Sequence, residues 1–273
     1  MASNTTTEYL LGPSADEGAR LLAQSELLND ETQWLLDRVD VPVGGRGVDL
    51  ACGPLGILPQ LAARVGPCGA VVGVDRSPEM LDHAAGLVRE RGLRNVELVA
   101  GDATATGLPR AAFDLVHVRL LLVNVPDPVA VVTEAAALVR PGGTVALHEV
   151  DWISWQCEPP HPAWDRLREL LAGLWRASGL DTCIGRRLPS LLRGAGLRDV
   201  RATAHAGIDG SDVWYQRLLL TFVERFADRI VDGGLARRDE IDALASALTR
   251  HLAQPDTIVI RALSVQAWGR RPS

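Results

Sequence analysis

The sequence is poor in aromatic residues and cysteine and carries no excess of basic charge. Phe, Trp and Tyr together make up 4% of its 273 residues, and the four cysteines lie far apart, with no CxxC pair. This spacing argues against a zinc site or a disulfide framework, so we expect no bound metal and reduced thiols, as in a cytoplasmic protein. The net charge of -6 at pH 7 argues against a nucleic-acid partner, because phosphate binding needs a clustered basic face.

Long apolar runs are also missing. No segment approaches the roughly 20 apolar residues that a membrane-spanning helix needs, so we expect no membrane partner. The beginning of the sequence, MASNTTTEYL, lacks a basic region followed by an apolar core, so we expect no signal peptide and a cytoplasmic location. The sequence has no internal repeat, low-complexity tract or obvious linker, and we predict a single domain over residues 1–273.

What the sequence does contain is an alternation of short apolar segments with helical segments. Ser77 as N-cap, Pro78 at the first helical position and Gly92 after the end predict one helix clearly. The predicted strands are 46–51, 70–75, 95–102, 113–119 and 144–150, and the predicted helices are 14–40, 56–66, 77–92 and 128–143. Such an alternation indicates βαβ units and a doubly wound parallel α/β sheet that is covered on both faces.

The pattern loosens after residue 150. We predict helices at 162–179, 186–196, 211–232 and 238–253, a strand at 197–207 and a long closing strand at 256–271. The helices between the last two strands form an insert that is too small to predict as an independent domain.

The residues that carry chemistry follow the ends of the predicted strands. In VDLACGPLG, residues 48–56, the small residues Ala51, Gly53 and Gly56 let backbone groups approach a ligand, although a plain strand-to-helix turn explains this loop equally well. Asp75 ends the second strand, where a carboxylate can accept both hydroxyls of a ribose. Asp102 ends the third strand, where it can accept the exocyclic amine of an adenine.

Other interpretations of these acids remain open. Asp75 and Asp102 could each cap the next helix, but two acids at successive strand ends favour a nucleoside ligand. A dehydrogenase has no need of Asp102 and usually keeps glycine where Ala51 stands, which favours another nucleoside cofactor over a dinucleotide.

Five segments taken together resemble a known family. VDLACGPLG, VVGVDRSPEML, AGDATATGLP, FDLVHVRLLLVNV and RPGGTVALHEVDW are similar to the motifs of class I S-adenosylmethionine-dependent methyltransferases, closely over about residues 45–152. The rest of the chain resembles more loosely a bacterial branch of small-molecule methyltransferases, of the quinone-biosynthesis C-methyltransferase type. The resemblance implies a Rossmann-like seven-stranded sheet, parallel with an antiparallel final strand. It also implies an N-terminal helical lid in residues 1–44, a cofactor-binding core in 45–152 and substrate-side helices with the final strands in 153–273. The helical insert in this last part forms the lid together with the N-terminal helices.

The resemblance further implies S-adenosyl-L-methionine as cofactor and assigns roles to single residues. Asp49 would hold the methionine ammonium through water, helped by the carbonyls of Ala51 and Gly53, and Gly53 would also let the chain pass close to the cofactor. The family usually has glycine at the position of Ala51, so we expect Ala51 to keep a negative φ and to tighten the turn. The remaining implied cofactor residues are Asp75 for the ribose, Arg76 and Met80 beside the adenine, Asp102 and the N–H of Ala103 on its ring, and Val118 and Arg119 along the methionine.

Candidate residues for catalysis and for the acceptor follow the fifth predicted strand. His148 and Glu149 are candidate general bases, although structural hydrogen bonding explains a His–Glu pair at a strand end equally well. Asp151 and Trp152 begin the loop above and are candidate acceptor-binding residues.

Weaker predictions concern residues near the N-terminus and His117. At the N-terminus, Tyr9 and Gln24 could fold over the cofactor, and Arg20 or Gln24 could meet its carboxylate, while a solvated helix face is the plainer interpretation. His117, inside the fourth predicted strand, is expected to be a core histidine.

The sequence therefore predicts methyl transfer to an O, N or C atom of a small, apolar or aromatic metabolite, in bacterial secondary metabolism. Five of the seven tryptophans fall between residues 152 and 214, which indicates an apolar or aromatic acceptor pocket there. For Trp175 and Trp214, ordinary packing on amphipathic helices is the plainer interpretation. The alternatives are a cofactor-binding enzyme that catalyses a cyclisation or rearrangement and a non-catalytic binding or scaffold protein. We expect a small-molecule acceptor as partner and a monomer or homodimer.

Overall fold

The computed structural model describes residue 12 and residues 15–210 and 213–273. Contacts divide the chain into two compact units. Unit 1 comprises Met1–Glu149, Arg187–Thr203 and Gln266–Ser273, and unit 2 comprises Val150–Arg186 and Ala204–Val265. The assignment of one domain to residues 1–273 stays a prediction.

The described residues form strands and helices that alternate through the first half of the chain. The strands are β1 (Arg46–Leu50), β2 (Ala70–Asp75), β3 (Val96–Ala100), β4 (Phe113–Arg119), β5 (Val139–Asp151), β6 (Gln156–Glu158), β7 (Arg198–His205), β8 (Ile208–Asp209), β9 (Ile258–Ile260) and β10 (Leu263–Arg270). The helices are α1 (Ala15–Leu27), α2 (Asn29–Leu36), α3 (Leu58–Val65), α4 (Pro78–Glu90), α5 (Pro128–Leu138), α6 (Pro162–Ala177), α7 (Leu188–Gly194), α8 (Leu218–Asp232) and α9 (Arg238–Leu252).

Unit 1 is built on a seven-stranded sheet with the strand order β3-β2-β1-β4-β5-β10-β7. The pairs β1–β2, β1–β4, β2–β3 and β4–β5 are parallel. The N–H of Gly142 donates to the carbonyl of Arg271, and the N–H of Arg271 donates to Gly143, so β10 runs antiparallel to β5. The predicted Rossmann-like sheet with an antiparallel final strand is confirmed, and the carboxyl ends of β1 to β5 meet at one edge.

Burial follows the position of each strand in the sheet. All residues of β1, β2 and β4 except those at one end are buried, as expected for parallel strands that helices cover on both faces. Strand β3 lies at the edge and is only partly buried. In unit 2, α6, α8 and α9 pack on one another, and the fully buried Trp155, Trp164 and Trp175 fill its interior.

The structure differs from the sequence prediction at several places. The predicted helix 14–40 is two helices, and Ser14, its predicted cap, lies outside the described residues. The predicted helix 128–143 ends at Leu138, because Pro141 and the positive φ of Gly142 do not continue a helix. The predicted strand 256–271 is divided into β9 and β10, and the small sheet β6-β9-β8 was not predicted, because strands of two or three residues carry no periodicity.

The loop after β1 contradicts the expectation for Ala51. Its φ is +58°, in the left-handed region that favours glycine, and not negative. An L-residue in this conformation costs roughly 1–2 kcal/mol relative to its ordinary backbone conformations. The loop therefore stores local strain at the position where the family usually has glycine.

A buried polar network joins α2, β5 and β10 in unit 1. His148 is fully buried, and its Nε2 lies 3.3 Å from Glu31 Oε2. Gln266 donates from Nε2 to the carbonyl of Glu31 at 2.9 Å and lies 3.4 Å from His148 Nδ1. Burial lowers the pKa of His148 from its ordinary 6.5 to about 4, although the Glu31 hydrogen bond acts in the opposite direction. The imidazole is therefore neutral at pH 7.

Replacing Ala51 with glycine is expected to raise the free energy of unfolding. Glycine adopts a positive φ without strain, but it loses more backbone entropy than alanine on folding. The net increase in the free energy of unfolding should be about 0.5–1 kcal/mol. Urea denaturation of the wild type and Ala51→Gly measures this difference. Ala63→Gly is the matched control, because Ala63 is exposed within α3 and its replacement should lower stability by about 1 kcal/mol. A loss of stability in both variants would contradict the strain at Ala51.

Because His148 is buried in its neutral form, the stability of the folded protein is expected to depend on pH. Its folded pKa lies below the unfolded value, so the unfolded chain binds more protons and stability falls as the pH drops from 6.5 to about 4. This group contributes up to roughly 3 kcal/mol of that loss. Urea denaturation at several pH values should give a shallower fall in His148→Gln than in the wild type. The exposed His83 supplies the control variant His83→Gln, which should keep the wild-type slope. Equal slopes in all three proteins would refute the effect.

Candidate functional site

The site begins with Asp49, at the carboxyl side of β1. Its carboxylate is 2% exposed, Oδ1 lies 2.7 Å from His117 Nδ1, and Oδ2 accepts a hydrogen bond of 3.1 Å from the N–H of Ile57. A Cβ on Gly56, which has a φ of +52°, would overlap Asp49 Oδ2. Both oxygens of Asp49 therefore have protein partners that shape the loop, and its predicted role toward an ammonium group stays a prediction.

His117 is fully buried, as predicted, and faces Asp49 because β4 pairs with β1 in the register Asp49↔His117. Among the described residues its Nε2 has no hydrogen-bond partner. The sequence prediction placed His117 in the core but missed its bond to Asp49, since strand register between β1 and β4 cannot be derived from either segment alone.

Asp75 joins the loop to the beginning of α4. Its Oδ2 accepts from the N–H of Gly53 at 2.8 Å, and its Oδ1 accepts from the N–H of Ser77 at 2.9 Å. Ser77 caps α4 through the N–H of Met80 at 3.2 Å, as predicted. Burial raises the pKa of Asp75 more than these N–H groups lower it. Asp75 is buried, with 9% of the residue exposed.

Asp102 follows β3 and lies in a different environment. It is exposed, and its Oδ1 accepts from both the N–H and the hydroxyl of Thr104, at 2.8 and 2.6 Å. These bonds lower its pKa, so the group stays ionised. Its Oδ2 has no hydrogen-bond partner among the described residues and can accept one from a ligand.

The other residues that the resemblance assigned to the adenosine lie around these acids. Met80 is buried in the first turn of α4, and Val118 is fully buried next to the end of β4. Arg76 is exposed directly after β2, and its charge helps to lower the pKa of Asp102. Ala103 is half-buried after Asp102.

Arg119 connects the end of β4 to the N-terminal helices. Its Nη1 donates to Thr32 Oγ1 at 3.0 Å, and its Nη2 donates to Ser25 Oγ at 2.6 Å. Ser25 Oγ in turn donates to the carbonyl of Gly56 at 2.9 Å, so α1 is bound to the loop after β1. The sequence prediction missed Ser25 and Thr32, which carry no motif.

Of the N-terminal residues that were predicted to cover the cofactor, Tyr9 lies outside the described residues. Gln24 accepts a hydrogen bond of 3.3 Å at Oε1 from Arg20, and Arg20 forms a salt bridge of 2.7 Å with Glu17. A role of Gln24 toward a cofactor stays a prediction.

The two candidate bases are enclosed in unit 1. His148 belongs to the network with Glu31 and Gln266, and Glu149 Oε1 accepts from the N–H of Leu122 at 2.6 Å. Both side chains have no exposed surface. These contacts support the structural interpretation of the pair, while proton transfer by either residue stays a prediction.

Asp151 and Trp152 lie in unit 2. Asp151 accepts from the N–H of Ile153 at 3.1 Å and pairs with Arg186 at 2.7 Å. Trp152 packs on Trp175, with ring centroids 5.0 Å apart, and stacks on Phe222 at 6.1 Å. It also lines a cavity of about 780 Å³ in unit 2.

Metal-ligand clusters and membrane-spanning helices are both missing from the described parts of the chain. These parts contain no group of three or more His, Cys, Asp or Glu side chains that could hold a metal ion. No helix within them is long and apolar enough to span a membrane.

Residues 48–143 match the family model of a methyltransferase domain. The chain is similar to the demethylmenaquinone methyltransferase of Geobacillus sp. (strain WCH70), with 39% identity over 114 residues, 42% of this chain and 49% of the relative. It is similar to the aklanonic acid methyltransferase DauC of Streptomyces sp. (strain C5), with 36% identity over 112 residues, 41% of this chain and 51% of the relative. It is also similar to the trans-aconitate 2-methyltransferase of Methylobacterium radiotolerans, with 34% identity over 182 residues, 66% of this chain and 64% of the relative.

Solved structures share the fold. A methyltransferase described as putative from Bacillus halodurans C-125 has a TM-score of 0.57 at 18% identity and covers 88% of this chain and 98% of its own. The [4+2]-cyclase SpnF has a TM-score of 0.50 at 22% identity and covers 89% and 80%. The chain spans about half the length of most of the curated relatives named above. Residues 48–143 therefore form a methyltransferase domain, in agreement with the resemblance of the strand-end motifs to class I S-adenosylmethionine-dependent methyltransferases.

Proposed function

We propose that this protein transfers a methyl group from S-adenosylmethionine to an O, N or C atom of a small organic acceptor. The observation that carries the proposal is the position of Asp49, Asp75 and Asp102 at the carboxyl ends of three neighbouring parallel strands of one sheet. Ligands of open α/β sheets bind outside these strand ends. The family match over residues 48–143 supports the same site.

The residues present fit an adenosyl group. Asp75 accepts one backbone N–H on each oxygen, and each oxygen keeps a lone pair that could accept a ribose hydroxyl. Asp102 has Oδ2 available for the exocyclic amine, and Met80 supplies a buried apolar side chain at the beginning of α4. In the loop, Ala51, Gly53 and Gly56 all have positive φ angles, which is typical of backbone that approaches a ligand closely.

The cofactor would supply a methyl group on a sulfonium, which is already a good leaving group. The task of the chain is then mainly to align the acceptor atom with that methyl, and alignment alone can contribute about 7–11 kcal/mol. A general base is needed only where the acceptor must lose a proton. His148, with its pKa of about 4 and its bonds to Glu31 and Gln266, is better placed to position β5 than to accept that proton.

The acceptor class is supported by the relatives and by unit 2. The named relatives act on demethylmenaquinone, aklanonic acid and trans-aconitate, which are small organic molecules. In unit 2, Trp152 lies in an aromatic cluster, which supports an apolar or aromatic acceptor. The cavity that Trp152 lines also carries the charged side chains Asp165, Arg166, Arg168, Glu169 and Arg176. A role in secondary metabolism, a cytoplasmic location and a monomeric or homodimeric state stay predictions.

Release of S-adenosylhomocysteine distinguishes the proposed activity from its alternatives. We expect the protein to form it with at least one of the three acceptors named above for its relatives, measured by mass spectrometry. An enzyme that only binds the cofactor during a cyclisation would bind it without forming this product. A scaffold protein would not bind it at all, and either result would contradict the proposal.

Removing the negative charge of Asp75 or of Asp102 tests the proposed binding site for adenosine. Asp75→Asn places an amide against the donors of Gly53 and Ser77, and Asp102→Ala removes the acceptor of the amine. A hydrogen bond to a charged group contributes about 1.5–3 kcal/mol, so each variant should bind S-adenosylhomocysteine roughly 10- to 100-fold more weakly. Calorimetry measures the affinity, and Asp82→Asn, at an exposed position of α4, is the matched control. Wild-type affinity in both site variants would refute the assignment.

The raised pKa of Asp75 predicts pH-dependent cofactor binding. The carboxylate accepts hydroxyls only when ionised, so affinity for S-adenosylhomocysteine should fall as the pH drops toward that raised pKa. The fall should begin at a higher pH than an exposed aspartate would give, because burial is the larger effect. Asp102 does not contribute in this range, since its pKa is lowered. Calorimetry at decreasing pH should show the fall in the wild type and its loss in Asp75→Asn, whereas parallel profiles would exclude Asp75 as the cause.

A further inference from the structure

The segment between β3 and β4, residues 101–112, is described throughout and contains neither a helix nor a strand. Such a segment keeps one conformation only where other contacts hold it. It carries Asp102 and Ala103, the two residues that the resemblance to methyltransferases assigns to the adenine ring. The contacts that hold this segment therefore decide how precisely a base can be recognised there.

Glu134 of α5 binds the segment through both of its carboxylate oxygens. Oε1 accepts a hydrogen bond of 2.9 Å from the N–H of Thr106 and one of 2.7 Å from its hydroxyl. Oε2 accepts from the guanidinium of Arg110. Glu134 and Thr106 are both buried, and hydrogen bonds to an ionised acceptor are strongest where water is excluded. Glu134 therefore fixes the middle of the segment to α5.

Glu134 lies on the face of α5 that packs into the core. Val131 and Leu138, which lie on the same face of the helix, are fully buried, and α5 packs on β4. Burial raises the pKa of Glu134, but the bonds from Thr106 and Arg110 lower it further, so that it lies below its ordinary value. Apolar residues are the usual occupants of such a face. The acid at this position therefore indicates a role in the segment that it binds.

Thr106 is connected to Asp102 through one tight turn. The N–H of Ala105 donates to the carbonyl of Asp102 at 2.9 Å, and the two residues form an isolated antiparallel bridge. The carbonyl oxygen of Thr106 lies 3.4 Å from the Cβ position of Gly101, so Thr106 also packs on the backbone just before Asp102. In the same turn, Thr104 holds Oδ1 of Asp102. The position of Asp102 Oδ2 therefore depends on Thr106 and, through Thr106, on the carboxylate in α5.

The end of the segment is fixed to α5 by main-chain groups. The N–H groups of Ala111 and Ala112 donate to the carbonyls of Ala137 and Leu138, both at 2.9 Å. These bonds do not involve the side chain of Glu134. A change at Glu134 should therefore loosen the part of the segment near Asp102 while the junction with β4 stays in place.

We propose that Glu134 is a positioning residue that sets the base specificity of the nucleoside site. By fixing Thr106, it holds Asp102 Oδ2 and the N–H of Ala103 where adenine presents its exocyclic amine and a ring nitrogen. The proposal rests on the proposed function, because it needs an adenosyl ligand at this edge of the sheet. Polar groups that are held in place reject a base that does not match them, whereas loosely held groups adapt to either base.

Two ligands that differ only in the base test this role. S-adenosylhomocysteine has an exocyclic amine, and S-inosylhomocysteine has a carbonyl oxygen in its place. The wild type should bind the adenosyl ligand about tenfold or more tightly than the inosyl ligand, since a carbonyl oxygen would face Asp102 Oδ2. Glu134→Gln keeps the size of the side chain and removes its charge. Calorimetry should show about tenfold weaker binding of the adenosyl ligand to this variant and a change below about twofold for the inosyl ligand, which makes neither contact.

The contrast between the two ligands separates positioning from a purely structural role. If Glu134 only stabilised the fold, Glu134→Gln would weaken both ligands equally, and that result overturns the proposal. Wild-type affinity for both ligands in Glu134→Gln overturns it as well. Glu90→Gln is the matched control, because Glu90 is an exposed glutamate at the end of α4, and both of its affinities should equal those of the wild type.

Further outcomes distinguish this proposal from the proposed function. If the wild type binds neither ligand, the proposed function fails and the role of Glu134 fails with it. If the wild type binds both ligands equally, the nucleoside site exists without base selection, and only the role of Glu134 is overturned. Should Glu134→Gln not fold, Thr106→Val removes the hydroxyl that Glu134 accepts and keeps the shape of the side chain. It should reduce the preference for the adenosyl ligand about threefold, and an unchanged preference would overturn the proposal.

Discussion

The buried carboxylate of Asp49 is the constraint on which the loop of unit 1 depends. A carboxylate removed from water is stable only if its oxygens find donors, and two different elements provide them: His117 from β4 and the N–H of Ile57 before α3. The chain between β1 and α3 must turn tightly to deliver that N–H, and it does so through positive φ angles at Ala51, Gly53 and Gly56. At Gly56 the carboxylate leaves no room for a side chain. The glycine pattern that resembles a nucleotide-binding loop thus has a second physical cause, the solvation of one acid by the backbone.

Asp75 and Asp102 play different roles in the site because they differ in burial. Asp75 is nearly buried and fixes the backbone of both the loop and α4, so it combines structural support with the capacity to accept two hydroxyls. Asp102 is exposed, is held by Thr104 alone and stays ionised more readily. A change at Asp75 therefore affects the loop and the ligand together, while a change at Asp102 affects mainly the ligand.

Polar side chains attach the N-terminal helices to the ligand-binding edge of the sheet. Glu31 binds the imidazole of His148, and Ser25 and Thr32 bind the guanidinium of Arg119. Polar contacts of this kind depend strongly on geometry, so they fix the positions of α1 and α2 on this edge of the sheet. The contact of His148 with Glu31 and the hydrogen bond from the N–H of Leu122 to Glu149 accompany the complete burial of a His–Glu pair that looks catalytic in the sequence.

The sequence by itself determined the elements whose signals are local. Ser77 and Pro78 predicted the beginning of α4, and apolar runs predicted β2 and β4 to the residue. The acids at the carboxyl ends of β1, β2 and β3 marked one edge of the sheet. Tertiary structure alone decided which distant residues meet. Asp49 faces His117 only in one register of β1 and β4, and Ser25 reaches Arg119 across 94 residues of sequence. The φ of Ala51 was predicted wrongly for the same reason, because it is imposed by the bond between Asp49 and Ile57 and not by the preference of alanine. Periodicity and capping report the environment of a residue along its own segment, whereas register, strand order and the closure of a loop depend on contacts between segments.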